Sequence, residues 1–164
     1  MDALEAIARR HSSRNYLDTP VLRETLDKIL DAGRRAATAN NDQPWEFVVI
    51  CDGERRRKLA ELTTYGRFIA QAPVCVIVFC RATWGYLEDG SAATQNMLVA
   101  AAALGVQSCW IGGDKAAYCS AVEKFAGIPS GYKLVSLISF GYEAAAPTPR
   151  NKRELKEIVH WEKW

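Results

Sequence analysis

Val74-Cys75-Val76-Ile77-Val78-Phe79-Cys80 carries no charged or amide side chain and follows Pro73. An unbroken apolar run of this length, rich in β-branched residues, predicts a strand buried on both faces. Such a strand needs a covering layer on each side, so this stretch already implies a layered domain. Reading outward, Leu87 to Leu104 predicts a long helix whose second half has almost no polar face, with Gly105 as its C-cap. A helix of that kind is buried centrally or in a subunit interface. Val106 to Ile111 is a short buried strand running into Gly112-Gly113-Asp114, Ala116 to Phe125 a helix, and Leu134 to Phe140 the last buried strand. In the other direction lie a short helical turn over Phe68 to Gln71, a charged surface helix over Glu54 to Leu62, and a strand over Trp45 to Ile50. Leu22, Leu26, Ile29, Leu30 and Gly33 stand at helical spacing after the start signal Asp18-Thr19-Pro20, and that helix ends near Ala36. Leu4, Ile7 and Ala8 mark a short helix before it. The expected fold is α+β: one domain over residues 1–164, a sheet of four or five strands, and helices covering it.

The composition narrows the partners. Hydrophobic residues are 49%, charged residues 24% and the net charge is +2, which argues against polyanion binding and hence against nucleic acid. No apolar stretch reaches the length of a membrane span, and the N-terminus has no basic-then-apolar leader pattern, so a cytoplasmic protein is expected. Cys51, Cys75, Cys80, Cys109 and Cys119 show no metal or C-x-x-C spacing and read as buried, reduced thiols. No metal site is expected.

Arg9-Arg10-His11-Ser12-Ser13-Arg14-Asn15-Tyr16 concentrates three guanidiniums, an imidazole and two hydroxyls. Guanidinium forks and serine hydroxyls match phosphate oxygens, which points to a phosphorylated ligand. A solvated basic turn complementing a helix dipole fits the same stretch. Ala37-Thr38-Ala39-Asn40-Asn41-Asp42-Gln43-Pro44 is an amide-rich loop before a core strand, equally readable as a recognition element or as ordinary turn chemistry. Gly112-Gly113 allows close approach of backbone to a ligand, or simply a turn. Ala144-Ala145-Ala146-Pro147-Thr148-Pro149 reads as a linker to a tail in which Leu155, Ile158, Val159, Trp161 and Trp164 need a surface to cover. No Walker-type motif or G-x-G-x-x-G is present.

Four stretches in order resemble the FMN-dependent nitroreductase-like family over essentially the whole chain. They are Arg10-His11-Ser12-Ser13-Arg14 with Tyr16; Asn41-Asp42-Gln43-Pro44-Trp45-Glu46-Phe47; Leu104-Gly105 through Cys109-Trp110-Ile111-Gly112-Gly113; and Gly127-Ile128-Pro129 through Gly141-Tyr142 to the tail around Arg153. The resemblance implies an α/β/α sandwich with a mostly antiparallel central sheet, and a homodimer with FMN at the subunit interface. Residues 145–164 would then be a linker and C-terminal arm exchanged between subunits.

By the same resemblance, Arg10, His11, Ser12, Lys152 and Arg153 would hold the FMN phosphate and ribityl chain. Arg14 would stand by the pyrimidine edge of the flavin, where a cation favours reduction. Gly112 and Gly113 amides would face N5 and O4, with Trp110 and Ile111 beside the ring. Thr38, Asn41 and Gln43 would reach the flavin partly from the partner chain, and Arg67 replaces an Asn–Lys feature of some members. Ala37-Thr38 stands where many relatives have Pro-Ser, and Asp114 where an aromatic is frequent. The implied activity is an FMN-dependent oxidoreductase that takes hydride from NADH or NADPH and reduces nitroaromatic, quinone or similar flat acceptors by a ping-pong cycle. The alternative is a flavin-binding redox sensor or storage protein without nicotinamide turnover.

Overall fold

In the computed structural model, which describes residues 1–143, 145 and 151–164, the seven-residue apolar run belongs to a central strand. The four strands are β1 (Trp45–Ile50), β2 (Val74–Arg81), β3 (Gln107–Gly112) and β4 (Tyr132–Gly141). They form one sheet in the order β1-β2-β4-β3, and every pairing is antiparallel. β2 and β4 are central, and both are almost wholly buried. A register shift at Val78/Phe79 bends β2 against β4.

Alternation along β2 feeds two cores. Val74, Val76, Val78 and Cys80 face one layer, while Cys75, Ile77 and Phe79 face the other. Helices α2 (Arg23–Arg34) and α4 (Tyr86–Ala103) cover the first face; α3 (Gly53–Leu62) and α5 (Cys119–Ala126) cover the second. Each large side chain placed there contributes about 1.5–3 kcal/mol, which is why period-two alternation inside an all-apolar run selects the α/β/α sandwich. α4 approaches the sheet closely at Gly90, where a Cβ would fall 2.7 Å from Val135. Thr94 and Ser136, both buried, share a hydrogen bond of 2.8 Å across that contact.

Several sequence expectations need correction. α1 (Ala3–Arg9) forms, but its apolar stripe faces outward: Leu4 is 80% and Ile7 54% exposed, and Ala6 is the residue that packs inward. α2 starts at Arg23, not at Asp18-Thr19-Pro20: Leu17 is held to Tyr142 by a backbone hydrogen bond, the chain bends at Asp18, and Leu22 is still extended. α5 starts at Cys119, with turns over the preceding residues, and β4 starts at Tyr132. α4 is not buried all round, since Gln95 and Asn96 are exposed and Val99, Ala100, Ala102 and Ala103 are only half-buried. The cysteines are all free, but Cys51 is exposed and Cys119 half-buried, because these two sit at element ends rather than inside the sheet. Of the Ala144 to Pro149 linker only Ala145 lies within the described residues. The tail makes a short 3-10 turn, Leu155–Glu157, and residues 151–164 are exposed throughout. Among the described residues no helix is long and apolar enough to cross a membrane.

Candidate functional site

The basic segment after α1 is stitched to the ends of two strands. Ser13 N–H donates to the Ser108 carbonyl at 3.0 Å, and Leu17 N–H to that of Tyr142 at 2.8 Å. Tyr16 is buried, and its hydroxyl lies 2.7 Å from Ser139 Oγ and donates to the Ser13 carbonyl at 2.8 Å. Ser13 and Tyr16 are buried, while Ser12 and Arg14 are exposed. Among the described residues neither Arg10 nor Arg14 takes part in an ion pair, whereas Arg9, Arg23, Arg34, Arg35 and Arg57 do.

Beside this segment opens a cleft of about 510 Å³. Arg14 lines one side, Cys109, Trp110, Ile111 and Gly112 of β3 form its base, and Thr64, Tyr65 and Phe68 approach from the 3-10 turn Arg67–Ala70 and the loop before it. Asp114, Lys115 and Tyr118 belong to the loop that closes the far side. Burial raises the Cys109 thiol, while Arg14 and a hydrogen bond from Ser12 pull it down. Gly112 is open: a Cβ there would meet nothing within 4 Å. Gly113 is the reverse, since its Cβ would fall 2.7 Å from Leu134 Cγ and 2.8 Å from the Val135 carbonyl oxygen.

The loop over residues 112–118 is shaped by its own side chains. Tyr118 hydroxyl donates to the Gly112 carbonyl, and Cys119 Sγ to that of Gly113. Tyr86, at the start of α4, donates to Asp114 Oδ1 at 2.6 Å; this bond to a carboxylate, helped by partial burial, pushes the phenol up to about 12.

The residues singled out in the sequence thus divide. Arg14, Trp110, Ile111 and Gly112 come together in the cleft. Arg10 and His11 line a second hollow of about 420 Å³, with Arg9, Gln107 and Ser108, at the other end of the same segment. Gly113 departs from expectation: its N–H already donates to the Val135 carbonyl at 3.1 Å, so Gly112 is the glycine open to a ligand. Thr38, Asn41 and Gln43 line neither hollow. Their loop is self-bonded, with Gln43 N–H on Thr38 Oγ1 at 3.3 Å, and holds Asn40, Asn41 and Gln43 at positive φ, a conformation asparagine tolerates and glutamine seldom adopts. Arg67 is exposed, and it is its neighbour Phe68 that enters the cleft. Lys152 is exposed and Arg153 bonds the Glu157 carbonyl within the tail at 2.7 Å. Sequence reading missed Thr64, Tyr65, Phe68, Cys109 and Tyr118 as cleft residues. Only tertiary packing brings these positions together, and no local motif announces them. Among the described residues no cluster of metal-binding side chains occurs.

The α/β/α sandwich thus carries an open, partly aromatic cleft beside β3, with Arg14 on one side of it. Comparison with known proteins agrees in detail. The Nitroreductase family model matches residues 7–65 and 63–142. A Methanothermobacter thermautotrophicus protein, provisionally named NADH dehydrogenase/NAD(P)H nitroreductase, is 35% identical over 173 residues, covering 100% of this chain and 88% of that protein. The solved structure of an FMN-dependent nitroreductase from Clostridium difficile superposes with a TM-score of 0.92 at 28% identity, covering 98% of this chain and 99% of that one. A Bacteroides fragilis nitroreductase with bound FMN gives a TM-score of 0.82 at 25% identity, covering 99% of this chain and 100% of that one. The chain belongs to the nitroreductase family, and it is an oxidoreductase of that class.

Proposed function

We propose that this chain binds FMN and uses NADH or NADPH to reduce nitroaromatics, quinones or similar flat acceptors by a ping-pong cycle. The observation that carries the reading is the continuity of the basic segment, with Arg14 on the 510 Å³ cleft at one end and Arg10 on the second hollow at the other. Four residues of extended chain span at most roughly 14 Å, a span suited to a ligand with a planar ring at one end and a phosphate at the other. The residues fit that group. Unpaired guanidiniums suit a phosphate and an electron-rich ring edge, Gly112 leaves room for a ring to approach, and Phe68 and Trp110 supply apolar surface.

When bound, FMN supplies the hydride chemistry. The chain binds and orients. Arg10 and Ser12 would hold the phosphate end, joined by Lys152 and Arg153 if the exposed tail reaches it, and each charge-assisted hydrogen bond would contribute about 1.5–3 kcal/mol. Arg14 keeps a fixed positive charge where negative charge develops on reduction, so little reorganisation is needed at that moment. An open cleft would admit the nicotinamide donor and then the acceptor to the same face in turn, which supports a ping-pong order and a breadth of acceptor.

A homodimer belongs to the same reading. Leu4 and Ile7 on α1, Leu104 after α4, and Leu155, Trp161 and Trp164 of the tail are exposed apolar groups, and Thr38, Asn41 and Gln43 stand apart from the cleft of their own chain. A second copy covering these surfaces would bury the apolar groups and carry that loop to the partner's flavin. Steady-state kinetics test the cycle. Double-reciprocal plots against NADH or NADPH at several benzoquinone concentrations should be parallel; lines converging left of the axis would show a ternary complex and contradict it.

A further inference from the structure

The His11 imidazole is hydrogen-bonded inside the chain at both nitrogens. Nδ1 lies 3.0 Å from the Arg9 carbonyl oxygen and Nε2 lies 2.9 Å from Glu143 Oε2. The Arg9 carbonyl can only accept, so Nδ1–H donates to it, and Nε2 is engaged by the Glu143 carboxyl, which leaves neither ring nitrogen for a ligand. The ring is a strut. It ties the backbone just before Arg10 to the residue just after β4, a separation of 132 residues in sequence. Glu143 is itself held at both ends: its N–H donates to Gln107 Oε1 at 3.1 Å, its backbone bridges Tyr16, and its side chain is 16% exposed. His11, Arg10 and Gln107 line the second hollow, whereas Glu143 stands behind that wall.

We propose that Glu143 is a positioning residue for the phosphate end of the flavin site, acting through His11 on the backbone from which Arg10 and Ser12 project; this rests on the FMN reading above. Affinity falls when a binding group must be ordered at the moment of binding, and a strut fixed beforehand removes that cost. A lone carboxylate near a phosphate would repel it. Here the carboxyl is turned onto the His11 ring at 2.9 Å, and what the pair contributes to the ligand is geometry.

The test compares FMN with riboflavin, which keeps the ring and ribityl chain and lacks the phosphate. Flavin-stripped full-length chain is titrated with each by flavin fluorescence, as wild type, Glu143→Ala, Glu143→Asp and Glu143→Gln. Glu143→Ala should lose roughly tenfold in FMN affinity, the scale of one hydrogen bond to a charged group, while riboflavin affinity stays within about twofold. Glu143→Asp, one methylene short of the ring, should behave like the alanine variant. Glu143→Gln keeps an oxygen that accepts from Nε2–H and should bind FMN as the wild type does. If the alanine variant does not fold, the aspartate and glutamine pair carries the same comparison. Unchanged FMN affinity in the alanine and aspartate variants, an equal loss for both flavins, or a glutamine variant as weak as alanine would each overturn the proposal. A wild type that binds neither flavin would instead overturn the cofactor reading on which it rests.

Discussion

The Arg14 guanidinium stands 5.8 Å from the centre of the Phe68 ring, and both side chains line the same cleft. A cation at that distance is attracted to the ring face, so Phe68 helps keep Arg14 over the cleft and not out in solvent. Arg14 comes from the segment before α2 and Phe68 from the 3-10 turn before β2, so only the fold brings them together.

Arg14→Ala should raise the Kd for FMN by roughly 10- to 100-fold, the span of one charge-assisted hydrogen bond. Arg14→Lys should recover part of that loss, because a point charge replaces the planar fork. Flavin fluorescence titration measures both. Neither change should alter thermal stability appreciably, since Arg14 is exposed and carries no ion pair among the described residues.

The adjacent glycines should separate cleanly. Gly113→Ala forces a Cβ to within 2.7 Å of Leu134 and should destabilise the fold by about 1–3 kcal/mol. Gly112→Ala meets open space and should stay within about 0.5 kcal/mol of the wild type while lowering acceptor turnover. Urea denaturation paired with quinone reductase assays distinguishes them.

Burial pushes the Cys75 and Cys80 thiols from 9.0 up to about 12. The folded chain keeps these protons at a pH where the unfolded chain gives them up. Stability is therefore full below about pH 9 and is lost as pH rises toward about 12, by about 1.4 kcal/mol per pH unit for a thiol shifted as Cys75 is. Urea midpoints measured at rising pH should show that slope, and Cys75→Ala should reduce it. In native protein, Cys51 alone of these three should react promptly with an alkylating reagent, because it is exposed.

Ile7→Asp should leave the fold intact, because Ile7 is 54% exposed, and should shift sedimentation toward the monomer. Flavin retention should fall with it. An unaltered dimer would place the interface elsewhere.

Much of the sandwich was legible because burial on both faces leaves an unmistakable mark in sequence. β1 matches its expected span, and β2 and β3 fall within a residue or so. Legibility failed where apolar residues face outward: Leu4 and Ile7 have helical spacing, and spacing says nothing of which surface the stripe covers. The site was half legible. Arg10, Arg14 and Gly112 carry their chemistry in short motifs, whereas Phe68, Tyr118 and Glu143 acquire roles only through contacts across the fold. Gly113 reads like its neighbour in sequence and differs because Val135 occupies the space beside it.

The proposed cycle requires a bound flavin that a nicotinamide reduces. The visible spectrum of freshly purified protein, recorded anaerobically before and after NADH or NADPH, tests it most directly. A yellow protein whose flavin bands bleach on adding the nicotinamide and return on adding a quinone or nitroaromatic is the predicted result. A colourless protein that takes up no added FMN would contradict the claim, and a yellow one that neither nicotinamide bleaches would contradict the donor.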